Sequence, residues 1–174
     1  MINVILTVAI VAVVVVGLLL LYGGINRSIK AQTLQTHFIT AEAAIRRAYA
    51  SAPQYPTGPI HNSIRSQMPS NAIRGSGATR DIVTPWGGEI TAGAGTTPGT
   101  STTASDTNFW IVAEGVPAEA CYSLATSYLR RDGVDEVQAS STGTATWNVV
   151  GDVASVEQRC GTGRQARVAI VFRG

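Results

Sequence analysis

The sequence predicts an α+β fold: a long N-terminal helix, apolar in its first half and amphipathic in its second, packed on an antiparallel sheet head with one further helix. Three observations lead there. Residues 1–26 contain no acidic, basic or histidine side chain. The residues after them place apolar side chains at helical spacing, with no proline before Pro53. Beyond Pro53, strand-like runs alternate with turns rich in Gly, Pro, Ser and Thr.

The apolar run of residues 4–22 is broken only by Thr7 and Gly17. About 20 such residues, rising 1.5 Å each, cover the hydrocarbon core of a bilayer, so residues 1–25 form a membrane-helix candidate. A cleaved secretory signal would begin with a basic region and carry a shorter apolar stretch, so this segment is expected to stay on the chain. With no basic residue ahead of the run, Met1 is consistent with a mature N-terminus exposed by removal of a basic leader, an encoded start being the alternative. From residue 26 to 52, Leu34, Phe38, Ala41, Ile45, Ala48 and Ala52 recur at spacings of four and three, one face of a continuing helix. Glycines at Gly17 and Gly23-Gly24 are its weak points.

Residues 53–174 are read as a globular head. Turn signals fall at Pro53, Pro56-Thr57-Gly58, Gly75-Ser76-Gly77 and Pro85-Trp86-Gly87-Gly88. Ile82-Val83 and Glu89-Ile90-Thr91 flank the last of these as a hairpin, and residues 93–105 read as a surface loop. The Gly93-x-Gly95 within it lacks the strand-to-helix context of a phosphate site. Residues 108–114 are a strand by composition. A helix opens at Val116-Pro117-Ala118-Glu119 and runs to about Leu129, with Cys121, Leu124, Ala125 and Tyr128 on its apolar face and Gly133 beyond it. Residues 146–150 and 166–172 are further strands.

Of the 174 residues only 14% are charged, and the net charge of +2 hides an uneven layout. Residues 1–80 carry +6, with Glu42 the one acid; residues 81–157 carry −8; residues 158–174 carry +4. Either copies meet head to tail, basic part on acidic part, or the blocks interleave within one molecule. Cys121 and Cys160 are the only cysteines. In a chain with a membrane segment they suggest one disulfide formed outside the cytoplasm; two buried free thiols are the alternative.

The arrangement resembles the type IV pilins, and within them the type IVb subclass of bundle-forming and toxin-coregulated pilins and the thin pili of conjugative plasmids. The likeness rests on Thr84-Pro85-Trp86-Gly87-Gly88-Glu89-Ile90, on Ala118-Glu119-Ala120-Cys121-Tyr122-Ser123-Leu124-Ala125-Thr126, on Cys160 with a short basic loop into the last strand, and on the N-terminal helix. The resemblance implies a type IV pilin fold with a Cys121–Cys160 disulfide bounding a variable region. It implies a leader cut by a prepilin peptidase, N-methylation of Met1, and a stay in the inner membrane before the pilus assembly machinery builds a homo-oligomeric filament. It further implies a major pilin in an extracellular pilus serving adhesion to host cells, aggregation or contact with a recipient cell. Most of that family carries a glutamate at the fifth mature position; here it is Ile5, and Asn3 is the polar residue nearby. Asn3, Ile5, Gly17, Gly23 and Gly24 are therefore the expected filament-core packing positions.

Other chemistries find little support. Metal-ligand spacing is absent, no cofactor is implied, and there is no Gly-x-Ser-x-Gly elbow. A membrane-anchored extracytoplasmic enzyme would have to use His61, beside Asn62-Ser63, or the acids Asp132, Asp135 and Glu136. A minor pilin or pseudopilin is the nearer alternative, favoured by Ile5. Arg159, Arg164, Arg167 and Arg173 lack interleaved aromatics and read as subunit contacts rather than a nucleic-acid surface.

Overall fold

A computed structural model of the chain describes residues 2–76, 80–99, 106–141, 146–161 and 165–174; within these, nothing is said of the side chains of residues 2–9 and 19–24. One helix, α1 (Ile2–Ala48), runs unbroken through all three glycines. At 1.5 Å per residue it is about 70 Å long. It stops at Ala48 rather than continuing to Ala52. Ala48 and Ala52 are exposed, so the apolar spacing that extended the helix on paper has nothing to pack against. The four upstream members of that face, Leu34, Phe38, Ala41 and Ile45, are fully buried.

Short helical pieces follow: α2 (His61–Ile64) and 3-10 turns at Arg65–Gln67 and Ser70–Ala72. The strands are β1 (Ile73–Arg74), β2 (Asp81–Ile82), β3 (Ile90–Ala94), β4 (Asn108–Val116), β5 (Val134–Ser141), β6 (Asn148–Val149) and β7 (Ala166–Arg173). Helix α3 (Ala118–Tyr128) follows β4, and α4 (Val153–Cys160) precedes β7. β3, β4, β7, β5 and β6 lie in that order in one antiparallel sheet, and β1 pairs with β2 alone.

Several expectations change. The head carries α2 and α4 besides α3, not one further helix. β2 pairs with β1, so the hairpin about Trp86 reduces to one bridge, Val83 with Glu89. Gly93 and Ala94 belong to β3 and are buried, because the Trp110 ring opposite needs the space a side chain would fill. The expected strand at 146–150 is two residues long. β5 supplies the missing neighbour of β7, pairing Val134 with Phe172 through Ser141 with Ala166.

One face of the sheet, with α1, α3 and α4, encloses the main core around Phe38, Phe109, Ile111, Ile170 and Phe172. Phe109 and Phe172 stack at 4.9 Å between ring centroids, and Tyr128 meets Phe172 edge-on. On the opposite face Trp110, Val112, Ala169 and Val171 form a smaller cluster under Trp147. α3 runs alongside α1: Gln35 faces Ser123, Phe38 faces Tyr128 and Glu42 faces Arg131.

Candidate functional site

The first half of α1 is the unusual surface. From Ile10 to Leu18 every residue is exposed, with Val13 at 73% and Leu18 at 61%. Ile25, Ile29 and Ile39 extend exposed apolar area along the helix beside the head. Isolated soluble domains rarely leave such contiguous apolar surface uncovered. Among the described residues no helix is long and apolar enough to cross a membrane. Met1 lies outside the described residues. Asn3, Ile5, Gly23 and Gly24 are placed only as turns of α1, and Gly17 faces open space.

The second half of α1 is fixed to the head. Glu42, the lone acid of the first 80 residues, pairs with Arg46 at 3.2 Å and with Arg131 at 3.0 Å. Arg46 lies over the Phe109 ring and Arg131 over Tyr128, so both cations are also held by aromatic faces. Burial pushes the Tyr128 hydroxyl up from its ordinary value, with Arg131 opposing. The charge blocks interleave within the molecule: Arg65 pairs with Asp81, Arg167 with Glu114 and Arg173 with Asp135.

Cys121 and Cys160 form a disulfide with Cα atoms 5.8 Å apart, tying α3 to the end of α4. The sequence reading missed α4 although its signals are present. Asp152 accepts from the Ser155 N–H, the Ser155 hydroxyl accepts from the Asp152 N–H, and Gly161 closes the helix at φ 70°. Those hydrogen bonds hold the exposed Asp152 carboxyl below its ordinary value.

The catalytic alternatives are not assembled. His61 Nδ1 lies 3.4 Å from the Ala92 carbonyl, and the Ser63 hydroxyl bonds Tyr49. Asp135 is taken by Arg173 and Asn108, and Glu136 accepts from Gln138. Among the described residues no group of three metal-ligating side chains occurs. His37 is buried at the joint of α1 and the 70–72 turn, and desolvation lowers its imidazole below the ordinary value, with Asn71 opposing.

The structure thus presents an exposed apolar helix joined by an ion-pair clamp to a disulfide-closed α+β head. The family model described as "PilS N terminal" matches residues 28–173. The crystal structure of type IV b pilin from Salmonella typhi is 20% identical, covering 82% of this chain and 97% of that one, with a TM-score of 0.57. The NMR structure of type IVb pilin (PilS) from the same organism is 21% identical over 83% and 96%, with a TM-score of 0.49. No curated relative matches the sequence. The fold is that of a type IV pilin, a structural subunit and not an enzyme. The chain belongs to the PilS family, the type IVb pilins.

Proposed function

We propose that this pilin is the repeating, major subunit of an extracellular type IVb pilus. The observation that carries the reading is the bare apolar surface of residues 10–18 on a helix whose other end is locked into the head. Such a surface is covered either by lipid or by the same segment of other copies, and head-to-tail repetition that does not close gives a fibre. Residues 1–25 act as inner-membrane anchor before assembly and filament core afterwards. Residues 26–52 seat the head, and residues 53–174 form the outer surface. Met1, freed by a prepilin peptidase, carries the methylated amine; Asn3, Ile5, Gly17, Gly23 and Gly24 set the packing of the core. The pilus then serves adhesion, aggregation or mating contact.

Ile5 supports a second reading, a specialised minor subunit, since an alkyl side chain cannot neutralise a neighbour's N-terminal amine. Electron microscopy and N-terminal mass spectrometry of sheared filaments separate the two. The major-subunit reading expects this chain, starting at a methylated Met1, as the main band. Deleting residues 1–25 is expected to leave a folded head that forms no fibre. A truncated chain that still polymerises overturns the proposal.

A further inference from the structure

The head carries a cleft of about 310 Å³, none of whose lining residues belongs to α1. It lies where the turn at Pro85–Gly88 crosses the bulge of β4, lined by Trp86, Glu89, Glu114, Gln165 and Arg167. This is the end of the sheet nearest the start of α3, about 20 Å from the Asn108–Arg173 end at about 3.3 Å per residue.

The walls are held rigidly. Thr84 fixes the turn: its N–H donates to the Gly88 carbonyl, its hydroxyl accepts from the Gly88 N–H and its carbonyl accepts from the Gly87 N–H. Gly88 and Gly115 touch backbone to backbone, and a Cβ on Gly88 would collide with the Glu114 carbonyl. Trp86 is half-buried against the main core. The Arg167 guanidinium is held between Glu114, at 3.4 Å, and the Trp147 ring, at 4.5 Å to the centroid.

The chemistry of the lining selects a ligand class. Glu89 and Glu114 are balanced by Arg167 and by Arg74, whose guanidinium lies against Gly87 at the rim. With two acids and two cations about it, the cleft has a net charge that favours neither an anion nor a cation overall. It does present planar, two-pronged hydrogen-bonding groups, namely carboxylate, guanidinium and the Gln165 amide, with the Trp86 indole among its lining. A pyranose ring is complementary to that set, with vicinal hydroxyls for the planar groups and a C–H face for the indole. The volume lies at the small end of ligand pockets, about 300–1,000 Å³, and holds one sugar unit. We propose that this cleft binds one unit of a neutral saccharide.

The test uses the unassembled full chain in a sugar-free zwitterionic detergent, so its outcome is separate from whether the chain is the major filament subunit. Saturation-transfer NMR and tryptophan-fluorescence titrations with lactose, maltose and N,N′-diacetylchitobiose are the readouts. At least one sugar is expected to bind saturably. Glu89→Ala and Trp86→Phe should each weaken it by about tenfold or more, and Glu119→Ala on α3 should leave it unchanged. Binding that neither cleft substitution weakens overturns the proposal. So does the absence of binding by all three sugars; quencher protection of Trp86 on filament formation would then assign the cleft to a contact between copies.

Discussion

Glu42 Oε2 lies 3.0 Å from Arg131 Nη2, joining the long helix to the chain just beyond α3. The carboxylate is only 11% exposed and also takes Arg46, so one buried acid meets two cations that are themselves seated on aromatic rings. The head is thereby clamped to the helix near α1's C-terminal end, while residues 10–18 of its first half stay exposed.

Removing one partner of a buried pair leaves the other groups without compensation. Glu42→Gln is therefore expected to lower stability by about 1–3 kcal/mol, more than Arg131→Ala does, since Arg131→Ala leaves Glu42 with Arg46. Denaturant unfolding of both single variants and the double variant checks this. A coupling energy near zero would remove the clamp as a stabilising contact.

The disulfide closes a 39-residue separation containing β5, β6 and α4. Replacing Cys121 and Cys160 by serine is expected to cost about 4 kcal/mol in the chain-entropy picture. Limited proteolysis should then cut first between α3 and β7. An unchanged cleavage pattern would mean that packing of Val156 and Leu124 suffices without the bond.

His37 provides a pH dependence of known sign. Its folded-state pKa is lowered, so the unfolded chain binds the proton more readily. Its contribution to stability is fully present above the unfolded value of about 6.5 and is lost as pH falls below it. Unfolding midpoints measured between about pH 8 and pH 5 should drop on the acid side, and His37→Leu should flatten that part of the curve. An identical acid drop in the variant would assign the effect to other groups.

Two glycines should answer alanine in opposite ways. Gly88→Ala drives a methyl into the Glu114 carbonyl and is expected to destabilise the head by about 2–4 kcal/mol. Gly17→Ala meets nothing within 4 Å and should leave the head's unfolding unchanged while raising local helix propensity by about 0.5–1 kcal/mol. Thermal scans of both variants check the contrast, and an unaltered Gly88→Ala head would show that the crossing can open.

What could be read from residues alone had a strong local signal. α3 announces itself by Pro117, the apolar face of Cys121, Leu124, Ala125 and Tyr128, and Gly133 beyond. β4 and β7 are dense in β-branched and aromatic residues because both of their faces are covered. β5 was missed because Asp132, Asp135 and Glu136 about Gly133 make its start look like a solvated turn; it is a strand because β7 needs a partner on that side, and Asp135 and Glu136 find Arg173 and Gln138. α4 was missed because it is eight residues long and buries only Val156 and Cys160.

The sequence by itself determined the uncharged rod, the amphipathic face from Leu34 to Ile45 and the two central strands, since each rests on periodicity or composition within a short window, while the family was legible as a resemblance in motifs spread along the chain. The tertiary structure alone decided that Glu42 meets Arg131, that the charge blocks pair within the molecule, and that Trp86, Glu114 and Arg167 share a cleft. Those partners are separated by some 16 to 90 positions in the chain and lie on different elements, and helix or strand periodicity carries no information from one element to another. Only closure of the sheet between β4 and β7, with α3 laid along α1, brings them into contact.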